Sequence, residues 1–314
     1  MSRGATRVAA DVDTTVDLGP LQLRNPIVAA SGTFGVGDEV ARVCPADALG
    51  AVTVKSLAPF AHAGNPPLRT CAAPGDGMLN SVGLAGPGVD AWIDRDLPSL
   101  EHTGATIIVS VWGRTVDDYA TAAHAVHALG ARVAAIELNL SCPNVGGHGA
   151  GMFAHSAELT ASVVEATRGP LPVFAKLTAQ VADPVAIARA AVDAGATGLT
   201  LVNTMPGIAI DVDRRAPRLG AGTGGLSGAA LHAIALRTVY VVANALPGVP
   251  IIGTGGVRTA DDAVAMMLAG AHAVGVGTAT FADPRAPLKI AQDLARWCVR
   301  HDVHKLCELT GGLR

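Results

Sequence analysis

Aromatic side chains are scarce in this chain, at 3% of 314 residues. Any core must therefore be built from Ala, Val, Leu and Ile, which suit close packing of helices on a sheet. Charge is sparse too, at 16% of residues with a formal net charge of −3. No basic run is interleaved with aromatics, which argues against a nucleic-acid partner held by electrostatics. The five cysteines, Cys44, Cys71, Cys142, Cys298 and Cys307, form no C-x-x-C pair. Neither a zinc site nor an iron–sulfur cluster is supported within the chain, and scattered thiols fit a reducing compartment. No apolar run reaches the ~18–20 residues of a membrane-spanning helix. The opening stretch "MSRGATRVAADVDTTVDLG" lacks the apolar centre of a signal peptide. These absences point to a cytoplasmic protein with no membrane and no nucleic acid to bind.

What is present is regular. Half of the residues are hydrophobic, and short apolar runs alternate with Ala-rich segments of helical period. Strands are expected at residues 26–30, 51–55, 106–111, 134–140, 173–177, 198–202, 250–256 and 273–278. Helices are expected at 116–129, 157–167, 184–194, 229–245, 259–269 and 287–300. "DPVAIARAAVDAGA" and "TADDAVAMMLAGA" each show an N-cap residue, a periodic apolar face and a closing glycine. Eight near-continuous strands alternating with helices imply a parallel sheet buried on both faces. The count favours closure into a (β/α)8 TIM barrel of the α/β class. No G-x-G-x-x-G follows the first strand, as an open dinucleotide-binding sheet would require. "VDLGPLQLRNP" reads as an N-terminal β-hairpin plugging the barrel's bottom. Residues 56–99 form a long insertion after the second strand, rich in Pro and Gly; such loops are usually functional. Length alone allows two domains, but barrels of ~250 residues or more run as one. Residues 1–314 are read as a single domain, with 1–15 a flexible lead-in.

Barrel active sites gather at the C-terminal ends of the strands, and here those ends are almost all polar or glycine. They carry Ser31–Gly32, Lys55–Ser56, Asn139 with Cys142 behind it, Lys176, Asn203–Thr204, Thr254–Gly255–Gly256 and Gly277–Thr278. A buried ammonium without a partner is costly, so two strand-end lysines imply an anionic or polar ligand, or a salt bridge. "GTGGV" and "GVGT" close the seventh and eighth strands, where barrels commonly bind phosphate through backbone N–H groups. "TGGLSG" ahead of the long helix is a candidate third contact. "LNSVGL" could present amides to a planar ligand, but alone it reads as an ordinary turn. The thiol in "NLSCPNVGGHGAGM" could serve packing, metal binding, nucleophilic attack or proton transfer.

Taken together and in order, "NPIVAASGTFG", "TVKS", "GNPPLRT", "GMLNSVGL", "ELNLSCPNV", "FAKLT", "LVNTMPG", "GGLSG", "IIGTGGV" and "GVGT" resemble the class 1 dihydroorotate dehydrogenases. "GNPPLRT…GMLNSVGL" is most similar to the class 1B catalytic subunits. The resemblance runs from about Leu18 to the last helix. It implies an FMN barrel that oxidises dihydroorotate to orotate in pyrimidine synthesis. It further implies a second subunit carrying FAD and a [2Fe–2S] cluster that passes electrons to NAD, in a homodimer or heterotetramer. Cys142 matches the base that takes the C5 proton while hydride leaves C6 for flavin N5. Lys55 and Asn139 match residues shared by flavin and substrate. Asn80, Gly83 and Leu84, with Ser81 and Val82 between them, match the substrate loop, and Asn203 and Thr204 match further substrate contacts. Ser31, Ser56, Lys176, Val202, Gly228, Gly255, Gly256, Gly277 and Thr278 match the FMN cradle.

These residue types suit the chemistry. A fixed ammonium such as Lys176 stabilises negative charge arising near flavin N1. Asparagine amides pair with both donors and acceptors of orotate, and a thiol titrates at ~8.5, close enough to working pH to act as a base. "NVGGHGAG" is expected to be a lid, with His148 a polar lid residue or a proton shuttle. Two departures stand out. Ser110 replaces the family's usual flavin-contacting asparagine, so that hydrogen bond is expected to be lost or water-mediated. Ala85–Gly86 follow "NSVGL" where Gln-Asn is usual, which would loosen the loop or signal another substrate. Two other activities remain open from sequence. One is FMN-dependent turnover of another dihydropyrimidine or cyclic amide. The other is a phosphate-binding lyase with a Schiff-base lysine.

Overall fold

The computed structural model describes residues 12–141 and 153–313. A hairpin of β1 (Val16–Leu18) and β2 (Leu21–Leu23) comes first, with Asp17 opposite Gln22. Then come β3 (Ile27–Ala29) and β4 (Ala51–Thr53). An excursion holds β5 (Thr70–Ala73) and β6 (Gly77–Asn80), and β7 (Ile107–Val111), β8 (Ala135–Asn139), β9 (Val173–Leu177) and β10 (Gly198–Leu201) follow. A second excursion contains β11 (Met205–Gly207), β12 (Ile210–Asp211), β13 (Ala216–Pro217) and β14 (Gly224–Gly228). β15 (Ile251–Thr254) and β16 (Ala273–Val276) complete the set.

β3, β4, β7, β8, β9, β10, β15 and β16 pair in parallel in that order, and β16 returns to β3 through Val274 opposite Ile27. The expected eight-stranded barrel is present. Every residue of β7, β8 and β9 is buried, because helices cover the outside and side chains fill the inside. That is why these strands read as unbroken apolar runs. It also makes the charged Glu137 and Lys176 within them conspicuous.

Helix boundaries follow local chemistry. Thr115 caps helix Val116–His127 and exchanges hydrogen bonds with Asp118, and Thr259 does the same with Asp262 ahead of helix Ala260–Leu268. Asp183 caps Pro184–Asp193 by accepting from the N–H groups of Val185 and Ala186. Each such cap contributes on the order of 1 kcal/mol. The expected helix at 229–245 begins instead with a tight turn at Ala229–Leu231 and becomes α-helical at His232–Ala245.

The β1–β2 hairpin buries Val16, Leu18 and Leu23. Its turn at Gly19 lies against Thr197 and Pro250, just ahead of β10 and β15. It therefore closes the bottom of the barrel, as expected. Asp13 is tied to the C-terminal segment, donating its N–H to His304 and accepting from Leu306. No helix among the described residues is long and apolar enough to cross a membrane.

The two excursions meet. β6 pairs with β14, Leu79 opposite Leu226 and Asn80 opposite Gly225, giving a four-stranded antiparallel sheet in the order β11-β14-β6-β5. Its residues Thr70, Met78, Asn80 and Ser227 face a cavity whose other walls are the C-terminal strand ends. The sheet is a roof over the barrel mouth.

Candidate active site

The cavity between barrel and roof measures about 1050 Å³, counting the space open to solvent at its mouth. Ser31, Lys55, Ser56, Asn139, Lys176 and Val202 line its floor, Asn203 and Thr204 one flank, and Asn80, Val82 and Leu84 the side under the roof. Gly228, Gly255, Gly256, Gly277 and Thr278 line it at the seventh and eighth strands. Residues from every part of the sequence thus converge on one space.

A chain of hydrogen bonds fixes the floor. Asn203 Nδ2 donates to Asn139 Oδ1 (3.1 Å) and to Ser141 Oγ (3.0 Å). Asn139 Nδ2 donates to Ser56 Oγ (3.0 Å), and Ser56 Oγ lies 2.9 Å from Ser110 Oγ. Ser31 Oγ donates to Val54 O (2.8 Å), and Ser141 Oγ donates to Lys176 O (3.0 Å), tying β8 to β9. These contacts set which way each amide points. Ser110 is fully buried behind Ser56 and does not line the cavity. The serine that replaces the usual asparagine reaches the cavity wall only through its hydrogen bond with Ser56.

The lysines differ. Lys55 lies across Gly32, where an added Cβ would stand 3.2 Å from its Cδ. Lys176 is 7% exposed, and its ammonium is 3.3 Å from Glu137 Oε1. Thr200 Oγ1 donates to the other oxygen, Oε2 (3.0 Å). Side chains two apart on a strand share a face, so Glu137 sits one layer below Asn139. That periodicity was the signal that could have found it.

The glycine loops are shaped by close approach. Gly256 has φ +72°, and a Cβ there would meet His232 Cβ at 2.7 Å and Gly228 O at 2.9 Å. Gly255 has φ +134°, with Ala235 Cβ at 2.6 Å from any added carbon. His232 Nδ1 lies 2.9 Å from Gly255 O. The start of helix His232–Ala245 is thereby held against bare backbone, an arrangement suited to a phosphate.

"LNSVGL" is more than a turn. Asn80 ends β6, and the segment behind it is pinned by Ser81 N–H to Arg69 O (2.7 Å) and Asn65 N–H to Val82 O (3.1 Å). Gly86 and His62 exchange backbone hydrogen bonds of 2.9 Å, so Ala85–Gly86 do not leave the loop loose. Ser81 and Gly83 do not line the cavity. Ser81 is buried with no partner for its Oγ among the described residues, and Gly83 packs on Asn65. Cys142, His148 and the rest of the expected lid lie outside the described residues.

Tyr119 carried no sequence signal. Its buried hydroxyl donates to Asn139 O (2.7 Å), and its ring meets Phe153 edge-on at 5.3 Å. Ala154 N–H donates to Leu140 O (3.0 Å). The chain on either side of residues 142–152 is thus joined at its base.

Comparison with known proteins converges on one family. The model of the dihydroorotate dehydrogenase family matches residues 14–297. The "Dihydroorotate dehydrogenase B (NAD(+)), catalytic subunit" of Geobacter sulfurreducens is 43% identical over 303 residues, covering 96% of this chain and 98% of that protein. The proteins of the same name from Alkaliphilus metalliredigens and Alkaliphilus oremlandii are 44% and 45% identical, covering 96% and 95% of this chain and 99% and 98% of theirs. With its strand-end motifs gathered around one roofed cavity, the chain belongs to the dihydroorotate dehydrogenase family.

Proposed function

We propose that this chain is a catalytic subunit that oxidises dihydroorotate to orotate in pyrimidine synthesis, using FMN, with electrons passing on to NAD through a partner subunit. The observation that carries the reading is the joint floor of the cavity. A buried lysine and an oriented Asn203–Asn139–Ser56 chain lie within the same space as a glycine cradle whose members Gly228, Gly255 and Gly256 leave no room for a Cβ against the chain packed on them. These residues fit FMN: the glycine cradle would hold its phosphate, and Lys176 would place a positive charge beside its ring. Bound FMN supplies a two-electron acceptor.

The protein's own groups do the rest. Asn139 and Asn203 each spend part of their amide capacity on neighbours, which leaves them oriented for the ring nitrogens and oxygens of a planar pyrimidine. Asn80 and the loop to Leu84 close over the opposite side. Lys176 holds a fixed positive charge beside the cavity, and that charge needs no reorganisation during reaction. Its ion pair with Glu137 suits a permanent cation better than the amine nucleophile of a Schiff-base lyase. Cys142, which directly follows Ser141 in the chain, takes the C5 proton. The roof covers one side of the cavity through Thr70, Met78, Asn80 and Ser227. The partner carries FAD and a [2Fe–2S] cluster, a role in keeping with the words "catalytic subunit" in the relatives' names.

Anaerobic addition of dihydroorotate to the purified yellow protein is expected to bleach the flavin, and NAD to restore it only with the partner present. A colourless protein that takes up no FMN would overturn the reading. Bleaching by another dihydropyrimidine but not by dihydroorotate would reassign the substrate.

Tyr119→Phe keeps the ring on Phe153 but strips a buried carbonyl of its donor. It is expected to cost about 1–3 kcal/mol of stability. Turnover should fall roughly tenfold through a displaced Asn139, since each ~1.4 kcal/mol in the barrier is a factor of ten. Thermal melting and steady-state kcat check the two effects separately.

A further inference from the structure

We infer that Glu137 is a positioning residue that sets the reduction potential of the bound flavin by partly neutralising Lys176. The inference rests on the FMN reading above.

Glu137 is 3% exposed and lies inside the barrel. It does not line the cavity, whereas Lys176 does. The ammonium therefore stands between the cavity and the carboxylate, 3.3 Å from Oε1. Thr200 Oγ1, from the next strand, holds the second oxygen at 3.0 Å. Three consecutive strands, β8, β9 and β10, each contribute one member.

A barrel interior is ordinarily filled by layers of branched apolar side chains. Packing alone gives no reason for a carboxylate here, and buried ion pairs are weak stabilisers compared with apolar residues of similar volume. The pair has a directional effect instead. It presents its positive end to the cavity while its negative end opposes that field from below. Fields are strong where water is excluded, so the carboxylate determines how much of the lysine's charge the cofactor feels. Reduction places negative charge on the flavin. Removing the carboxylate should stabilise the reduced form and raise the potential. Glu137 thus holds the flavin at a potential from which electrons can leave for an acceptor.

The test is a dye-equilibrated redox titration of FMN-loaded protein. Glu137→Gln keeps the shape and removes the charge. It is expected to shift the oxidised-to-reduced balance at least tenfold towards reduced, which is ~30 mV for a two-electron couple. Glu137→Asp, which keeps the charge, is expected to restore most of the wild-type balance. Thr200→Val withdraws the proton that shares the carboxylate's charge and is expected to shift the balance the other way. It also serves if Glu137→Gln does not fold. A Glu137→Gln flavin within twofold of the wild-type balance overturns the inference, as does a variant that only melts earlier. Failure of wild-type protein to take up FMN removes the reading beneath it and the inference with it. An unmoved potential in flavin-bearing protein sinks the inference alone.

Discussion

Replacing Cys142 with alanine is expected to leave FMN bound and to slow its reduction by dihydroorotate by about 10²–10⁴-fold, the usual contribution of a positioned general base. The argument starts from neighbours. Asn139 and Ser141, the last described residues of this segment, are fixed by Asn203, Ser56 and the Lys176 carbonyl. Cys142, the proposed base, is the next residue in the chain. Among the described residues the floor is held together by Asn203, Asn139, Ser56 and Ser141, so cofactor retention should survive loss of the thiol. The wild-type rate should rise with pH until a thiol titrates, near ~8.5 if unperturbed, and the alanine variant should lose that limb. Stopped-flow absorbance under anaerobic conditions reads both. A variant that reduces its flavin at the wild-type rate would place the base elsewhere.

The second large effect is on folding. Lys176→Met removes one partner of a buried pair and leaves the Glu137 carboxylate, 3% exposed, facing an apolar side chain. Breaking such a pair typically costs about 3–5 kcal/mol, whereas replacing both partners by groups of similar volume is often neutral. Melting is expected to fall by on the order of 6–10 °C, at ~2 °C per kcal/mol for a chain of this size. Adding Glu137→Gln should recover most of the loss, because the two sites share one interaction and cannot be additive. A double variant whose loss equals the sum of the two single losses would mean that the pair contributes no coupling. FMN should bind more weakly to both variants, since each lacks the ammonium beside the cavity.

The barrel was legible because parallel strands buried on both faces write themselves as apolar runs. Residues 173–177 were placed to the residue, and the other seven strands shortened only at their ends. The cavity's polar residues were legible for the same reason: polarity at the end of an apolar run needs an explanation. The roof was not. Its strands are "TCAA", "GMLN", "MPG" and "GGLSG", too short and too glycine-rich for an alternating pattern. The pairing that joins the two excursions spans about 145 residues, as with Asn80 and Gly225. Glu137 was hidden by lying within a strand rather than at its end. Tyr119 was hidden on a helix, where one buried aromatic looks like packing. Ser110 was recognised as a departure, but only the structure supplies Ser56 as its partner.

The pairing of β6 with β14 has a consequence for synthesis. At ~5–20 residues per second on the ribosome, β6 emerges on the order of ten seconds before its partner exists. Until then the β6 edge of the hairpin Thr70–Asn80 is unpaired, and Asn80 has no counterpart across the cavity. The barrel's first six strands can associate locally meanwhile, but a closed pocket is among the last things this polypeptide makes. A nascent chain stopped near residue 200 would have assembled Lys55, Asn139 and Lys176 while lacking both the roof and the glycine loops of the seventh and eighth strands. Closure of the cavity is therefore postponed until almost the whole chain has been made.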